Sequence, residues 1–201
     1  MFNFDTLSQY FLAIYFTIIA IHYSSVALGR KVRTQQKQVH AGQPFTAQWW
    51  VRQTFNLFRT LILLLCIARV GWDIDGYLGV FGILYQPVVV YLGVILMLLS
   101  LFLVSFSHAY MQAQWRSGID DNTEHPLLVE GPFKRTRNPI FKGVLLGQLG
   151  LFLAFPSVFT LLCLVTGISM IVLQVKHEET ALEHSHGEVY LHYKSATPRW
   201  L

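Results

Sequence analysis

Five apolar runs alternate with polar connections along this chain. They cover residues 4–28, 49–70, 87–107, 139–155 and 158–175, and the third holds no charged residue at all. A helix of roughly 20 apolar residues crosses a bilayer's hydrocarbon core. The pattern therefore predicts an all-α fold: a multi-pass bundle of five transmembrane helices forming a single membrane domain over residues 1–201. Residues 1–109 supply the N-terminal helices. Residues 110–201 supply a polar connection, a helical hairpin turning at Pro156 and Ser157, and a charged helix-favouring segment over 176–193. Residues 77–85 are also apolar, and the pattern leaves open whether they extend the third helix or lie in the interface. Trp49, Trp50 and Trp72 fall where interfacial aromatic residues sit.

Composition supports the membrane reading. Of 201 residues, 53% are hydrophobic and 13% charged, against roughly 25% charged in a soluble domain. The net charge of +4 is confined to a few connections, which fits a topology signal and anionic head groups rather than nucleic acid. Arg30, Lys31, Arg33, Lys37 and Arg52 flank the first connection, Arg116, Lys134, Arg135, Arg137 and Lys142 the third, and Lys176, Lys194 and Arg199 the tail. The second connection has only Arg69 at its edge, beside Asp73 and Asp75, and the fourth has none. The basic side is the cytoplasm by the positive-inside rule, so the N-terminus is expected outside and the C-terminus inside. The first apolar run lacks a basic flank and a cleavage site and reads as permanent, and neither end carries a lipidation motif. Cys66 and Cys163 lie in apolar runs and read as small buried hydrophobes. Gly143 and Gly147, with Gly150 a turn on, form a small-residue stripe expected to pack the fourth helix on the fifth.

The hairpin returns the chain to the side it left, so the polar segments before and after it must meet at one mouth. That places Arg135, Arg137 and Asn138 near Glu178, Glu179 and Glu183, with Gly131-Pro132 as a turn that lets backbone approach a ligand.

The run Gly131-Pro132-Phe133-Lys134-Arg135-Thr136-Arg137-Asn138-Pro139-Ile140-Phe141-Lys142-Gly143 resembles the Gly-Pro-Tyr-x-x-x-Arg-His-Pro-x-Tyr-x-Gly motif of the isoprenylcysteine carboxyl methyltransferase and phospholipid methyltransferase superfamily. Downstream, Glu178-Glu179-x-x-Leu182, Gly187-x-x-Tyr190-x-x-Tyr193 and Pro198-Arg199 are similar to that superfamily's tail, and Trp115-Arg116-Ser117-Gly118-Ile119-Asp120 to a run of its bacterial members. The resemblance covers residues 110–201 and implies that they form a methyltransferase core using S-adenosylmethionine. It assigns the cofactor to Leu128, Val129, Gly131, Pro132, Phe133, Asn138, Pro139 and Phe141 with Glu178 and Glu179, and catalysis to Arg137, Glu178 and Glu179. Carboxylates suit the cofactor's sulfonium and ammonium, and backbone N–H groups or an arginine suit its carboxylate. Three positions depart from the family: Asn138 replaces a histidine, Phe141 replaces a tyrosine, and residues 171–176 lack the arginine that prenylcysteine-specific members carry before the acidic pair. No Gly-x-Gly-x-x-Gly run occurs, which argues against a Rossmann methyltransferase.

Plainer readings compete at single residues. Lys134 and Arg135 read as topology determinants. His177, His184, His186 and His192 lack the spacing that puts two metal ligands one turn apart, so no metal is expected. Arg59, inside the second run, is either a polar site residue or a snorkelling one. The expected activity is methyl transfer to a lipid-like or hydrophobic acceptor (a prenylcysteine carboxylate, a phospholipid amine or a thiol) at the cytoplasmic face of a plasma or inner membrane. The alternative is a non-catalytic scaffold or ligand sensor that keeps the fold. A transporter is disfavoured because the third and fifth runs offer almost no polar residue at mid-depth.

Overall fold

The computed structural model describes residues 3–34, 43–111 and 126–200, with backbone only for 26–34. Six helices account for most of it: α1 Phe4–Thr34, α2 Ala47–Gly71, α3 Pro87–Met111, α4 Pro139–Ala154, α5 Val158–His186 and α6 Glu188–Ala196. Local chemistry sets their ends. The Thr46 hydroxyl caps α2 by accepting from the Trp49 N–H at 3.3 Å. Pro139 opens α4, where a missing N–H costs nothing. Ser157 and Thr160 form a reciprocal capping box at the start of α5. Gly187 ends α5 with φ +52 and ψ −128, a conformation open essentially to glycine.

Among the described residues four helices, α1, α2, α3 and α5, are long and apolar enough to cross a membrane. The predicted fourth span is shorter. With 16 residues, α4 rises about 24 Å, less than the roughly 30 Å hydrocarbon core. The charged, helix-favouring segment continues α5 without a break through Lys176 to His186, and Gly187 then separates it from α6. Residues 77–85 do not extend α3. They fold back so that Phe81 N–H donates to Pro156 O at 2.9 Å and Val158 N–H to Gly79 O at 2.9 Å, which pins them to the α4–α5 turn.

The glycine stripe faces a different partner from the one expected. A Cβ on Gly143 would meet Val104, one on Gly147 would meet Ser100, and one on Gly150 would meet Met97 and Gly93 O. All of these lie on α3. From the other side, a Cβ on Gly93 would strike the Ala154 backbone. Thus α3 and α4 make the most extensive helix contact of the bundle, while α5 approaches α4 through Gly167, whose Cβ position is filled by the Gln148 amide. A glycine stripe announces close backbone approach but carries no label for the helix that approaches.

Leu12, Tyr15, Ile62, Cys66, Met97, Leu151 and Cys163 build one core from all five long helices. Ser8 donates to Ala154 O at 2.8 Å and Tyr15 to Met97 O at 3.0 Å, tying α1 to α4 and α3. Outward-facing Ile14, Ile18, Leu64, Ile95, Leu99 and Phe102 remain exposed, an apolar surface suited to lipid rather than water. At the end of the bundle holding the α4–α5 turn, buried Arg69 makes a bidentate pair with Asp75 at 2.6 and 2.7 Å. Its guanidinium lies 3.4 Å over the Phe155 ring. Tyr85, within 3.5 Å of Arg69, donates to Asp5. This clamp closes α1, α2, the 75–85 segment and α4 together. An open depression of ≈ 600 Å³ beside it is lined by Asp5, Asp73, Asp75 and Tyr85, at the end opposite to the Gly-Pro turn.

Candidate functional site

From Val158 to Glu179 along α5 is 21 residues, about 32 Å of rise. The acidic pair therefore stands just past one bilayer core's thickness from the hairpin turn, where the apolar part of the helix has ended. The Gly-Pro turn reaches the same level from α4. Gly131–Lys134 form a 3₁₀ turn, and Gly131 takes φ +58 with the Tyr110 ring where its Cβ would be. Tyr110 also packs on Phe133, ring centroids 6.4 Å apart. The last turn of α3 thus supports the turn from below.

Glu179 is the hub, with its side chain 7% exposed. Arg137 donates to its Oε1 through Nε at 3.3 Å and Nη2 at 3.1 Å. Arg199 forks across both oxygens, Nε to Oε1 at 3.0 Å and Nη2 to Oε2 at 2.7 Å. Asn138 Nδ2 adds a long contact at 3.4 Å. The remaining Arg137 nitrogen, Nη1, donates to the carbonyls of Lys194 at 2.9 Å and Thr197 at 2.6 Å, where the end of α6 leaves acceptors without helical partners. Thr136 donates to Arg199 O at 2.8 Å, Arg137 N–H to Pro198 O at 3.0 Å, and Tyr193 OH to Phe133 O at 2.6 Å. Three stretches distant in sequence are sewn together: the turn, the inner end of α5, and the C-terminal tail.

Burial alone would raise the Glu179 pKa, but the hydrogen bond from Arg199 and the charge of Arg137 reverse it and hold the carboxyl below its ordinary value. Arg199 is raised in turn, chiefly by its hydrogen bond to Glu179. Burial pushes the hydroxyls of Tyr190 and Tyr193 up to about 12, with the Glu179 charge adding to the first. At neutral pH the hub is an ion cluster beside two neutral phenols.

The expected meeting of the two polar segments is found, with a different division of partners. Arg137 and Asn138 reach Glu179. Glu183 instead pairs with Lys194 at 2.8 Å on the surface, and Glu178 accepts from Gln174 at 2.8 Å. Arg135 is exposed. Leu128, Pro132, Phe133 and Phe141 are half-buried, Val129 and Gly131 exposed, Asn138 and Pro139 buried. Residues 126–129 run without regular secondary structure into Glu130, whose backbone is extended at φ −108 and ψ 176. Such a segment offers N–H and C=O groups to a ligand. The sequence pattern marked Arg199 as a basic residue of the tail and gave neither it nor Thr136 a place in the site. The signal was present in the Pro198-Arg199 ending, but nothing in a linear pattern shows that a tail folds back onto a carboxylate 20 residues earlier. The Trp115–Asp120 run, Lys37 and Arg116 lie outside the described residues, as do the side chains of Arg30, Lys31 and Arg33. Among the described residues no cluster of three or more His, Cys, Asp or Glu is placed to hold a metal.

An all-helical bundle with lipid-suited flanks and a polar, ion-paired mouth at one end fits an integral membrane protein. Residues 88–189, half of the chain, match the family described as phospholipid methyltransferase, and the chain belongs to that family of membrane methyltransferases. No curated protein and no solved structure matches it.

Proposed function

We propose that the chain is an S-adenosylmethionine-dependent methyltransferase that crosses the membrane five times, N-terminus outside, and methylates a lipid-like acceptor at its cytoplasmic face. The observation that carries this reading is the convergence on Glu179 of the Gly-Pro turn, α5 and the tail. In a family of methyltransferases that convergence makes a walled polar mouth beside lipid.

The donor set fits the cofactor. When bound, S-adenosylmethionine supplies a methyl group on a sulfonium, a leaving group good enough that alignment and exclusion of water carry most of the catalysis. Glu178 and Glu179 are the carboxylates whose charge suits the cofactor's sulfonium and ammonium, and Glu178 lies half-buried at the same level of α5. The backbone of Leu128 and Val129 and of Gly131 to Phe133 would hold the rest, with Asn138, Pro139 and Phe141 closing the side toward α4. Arg137 and Glu179 are positioning residues in this scheme: they fix the turn and the tail. Glu178 or water beside it takes the proton that an amine or thiol nucleophile releases. The reading also treats the short α4 as a crossing, the fourth of five, and the basic side of the bundle as cytoplasmic, on the distribution of arginine and lysine.

Calorimetry of the purified protein with S-adenosylmethionine and its demethylated product tests the cofactor assignment. Binding of both is expected, and Glu178→Gln should weaken the cation more than the product, which lacks the sulfonium charge. Binding of neither compound would leave a scaffold that keeps the fold without the chemistry.

A further inference from the structure

The face that α5 turns toward the bundle is apolar over most of its length. Cys163, Gly167, Ile171 and Val175 are buried there, and before the acidic pair one long polar side chain interrupts them: Gln174, 8% exposed. From Val158 to Gln174 is 16 residues, about 24 Å of rise, short of the roughly 30 Å hydrocarbon core. Ile171 and Val175 on the same stripe are 0% and 1% exposed. An aliphatic side chain at 174 would join them with no amide to desolvate. A buried amide at this depth costs free energy unless something uses it.

Glu178 uses it. Gln174 Nε2 donates to Glu178 Oε1 at 2.8 Å, across the one-turn spacing that stacks residues four apart on one helix face. On a solvated face such a pair contributes little. Here the donor is withdrawn from water, where a hydrogen bond to a charged acceptor is stronger. The two adjacent carboxylates are thereby divided. They leave α5 about 100° apart. Glu179 is taken toward the tail by Arg199 and toward the Gly-Pro turn by Arg137, whereas half-buried Glu178 is taken by a residue one turn nearer the bilayer.

We propose that Gln174 is a positioning residue for the methyl-transfer site: its buried amide draws the Glu178 carboxylate away from the arginine hub and fixes it at the boundary between bundle and mouth, facing a cationic ligand. That the ligand is the sulfonium and ammonium of S-adenosylmethionine rests on the methyltransferase reading above; the division of the acidic pair does not. Gln174 touches no reacting atom in this scheme. It acts through Glu178, so its effect must vanish when Glu178 cannot respond.

The test is calorimetric binding of S-adenosylmethionine and of its demethylated product to the full-length protein in a non-ionic detergent, with thermal unfolding of each ligand-free variant to follow folding. Gln174→Met keeps the length of the side chain and removes the donor. It should weaken S-adenosylmethionine about fivefold and the product less than about twofold, because only the first carries the sulfonium charge. Gln174→Asn, with its amide one methylene short of Glu178, should do the same and decides the matter if Gln174→Met fails to fold. Added to Glu178→Gln, Gln174→Met should cause no further loss, since residues that act as one unit are not additive. Gln148→Met makes the same change at the α4 amide that packs on Gly167 and should leave both affinities unchanged. Equal weakening of the two compounds by the Gln174 variants, or the same pattern from Gln148→Met, would show that the glutamine serves packing alone and overturn the inference. So would a loss that adds in full to that of Glu178→Gln. A wild type that binds neither compound would sink the methyltransferase reading; one that binds both, with Gln174 variants unaltered, would sink the positioning role alone.

Discussion

Glu179 gathers its ligands from both sides of the hairpin, and removing its charge strands two guanidiniums. Glu179→Gln is expected to destabilise the folded protein by about 3 kcal/mol, because breaking a buried pair costs more than the pair contributes. Thermal unfolding in detergent measures it. The acid limb follows from the same residue. Its carboxyl is held below the ordinary value in the folded state, so its contribution is complete above the ordinary carboxylate range and disappears as pH falls through the lowered value. Amide hydrogen exchange of residues 188–199 should therefore stay slow at neutral pH and rise on acidification below the usual carboxylate range, earlier than exchange in α3. Exchange rising equally in both would mean that the tail is held by something other than this ion cluster. The residue-level reading from sequence named Arg137, Asn138 and Glu179 correctly as neighbours. It grouped Glu183 with them, which pairs with Lys194 instead, because side-chain direction on a continuous helix cannot be read without knowing which face meets the turn.

At the scale of elements, the decisive contact is α3 on α4. Gly93 and Gly150 let backbones touch, and a methyl group at Gly93 would meet main chain that cannot move aside. Gly93→Ala should cost about 3 kcal/mol, whereas Gly143→Ala, which meets the Val104 side chain, should cost about 1 kcal/mol. Gly187→Ala should cost about 2 kcal/mol through its positive φ and loosen α6 without disturbing the bundle. Comparing the three midpoints by thermal unfolding ranks the contacts. The long helices were legible because apolar length and flanking polarity are local properties. The packing partner of the glycine stripe and the fold-back of residues 77–85 were not, because each depends on what lies beside the segment rather than within it.

The whole molecule has two unlike ends. One is closed by the Arg69–Asp75–Tyr85–Asp5 clamp, the other is built from the turn, the inner end of α5 and the tail. A fold that locks one end and keeps charged groups at the other suits a reaction carried out at a single membrane face. Membership of a methyltransferase family fixes the class of chemistry. The most direct measurement is incubation of membranes containing the protein with methyl-labelled S-adenosylmethionine, followed by extraction into organic solvent. Label is expected in the lipid-like fraction for the wild type and close to background for Glu178→Gln. Label confined to water-soluble products, or undiminished transfer by Glu178→Gln, would contradict the account.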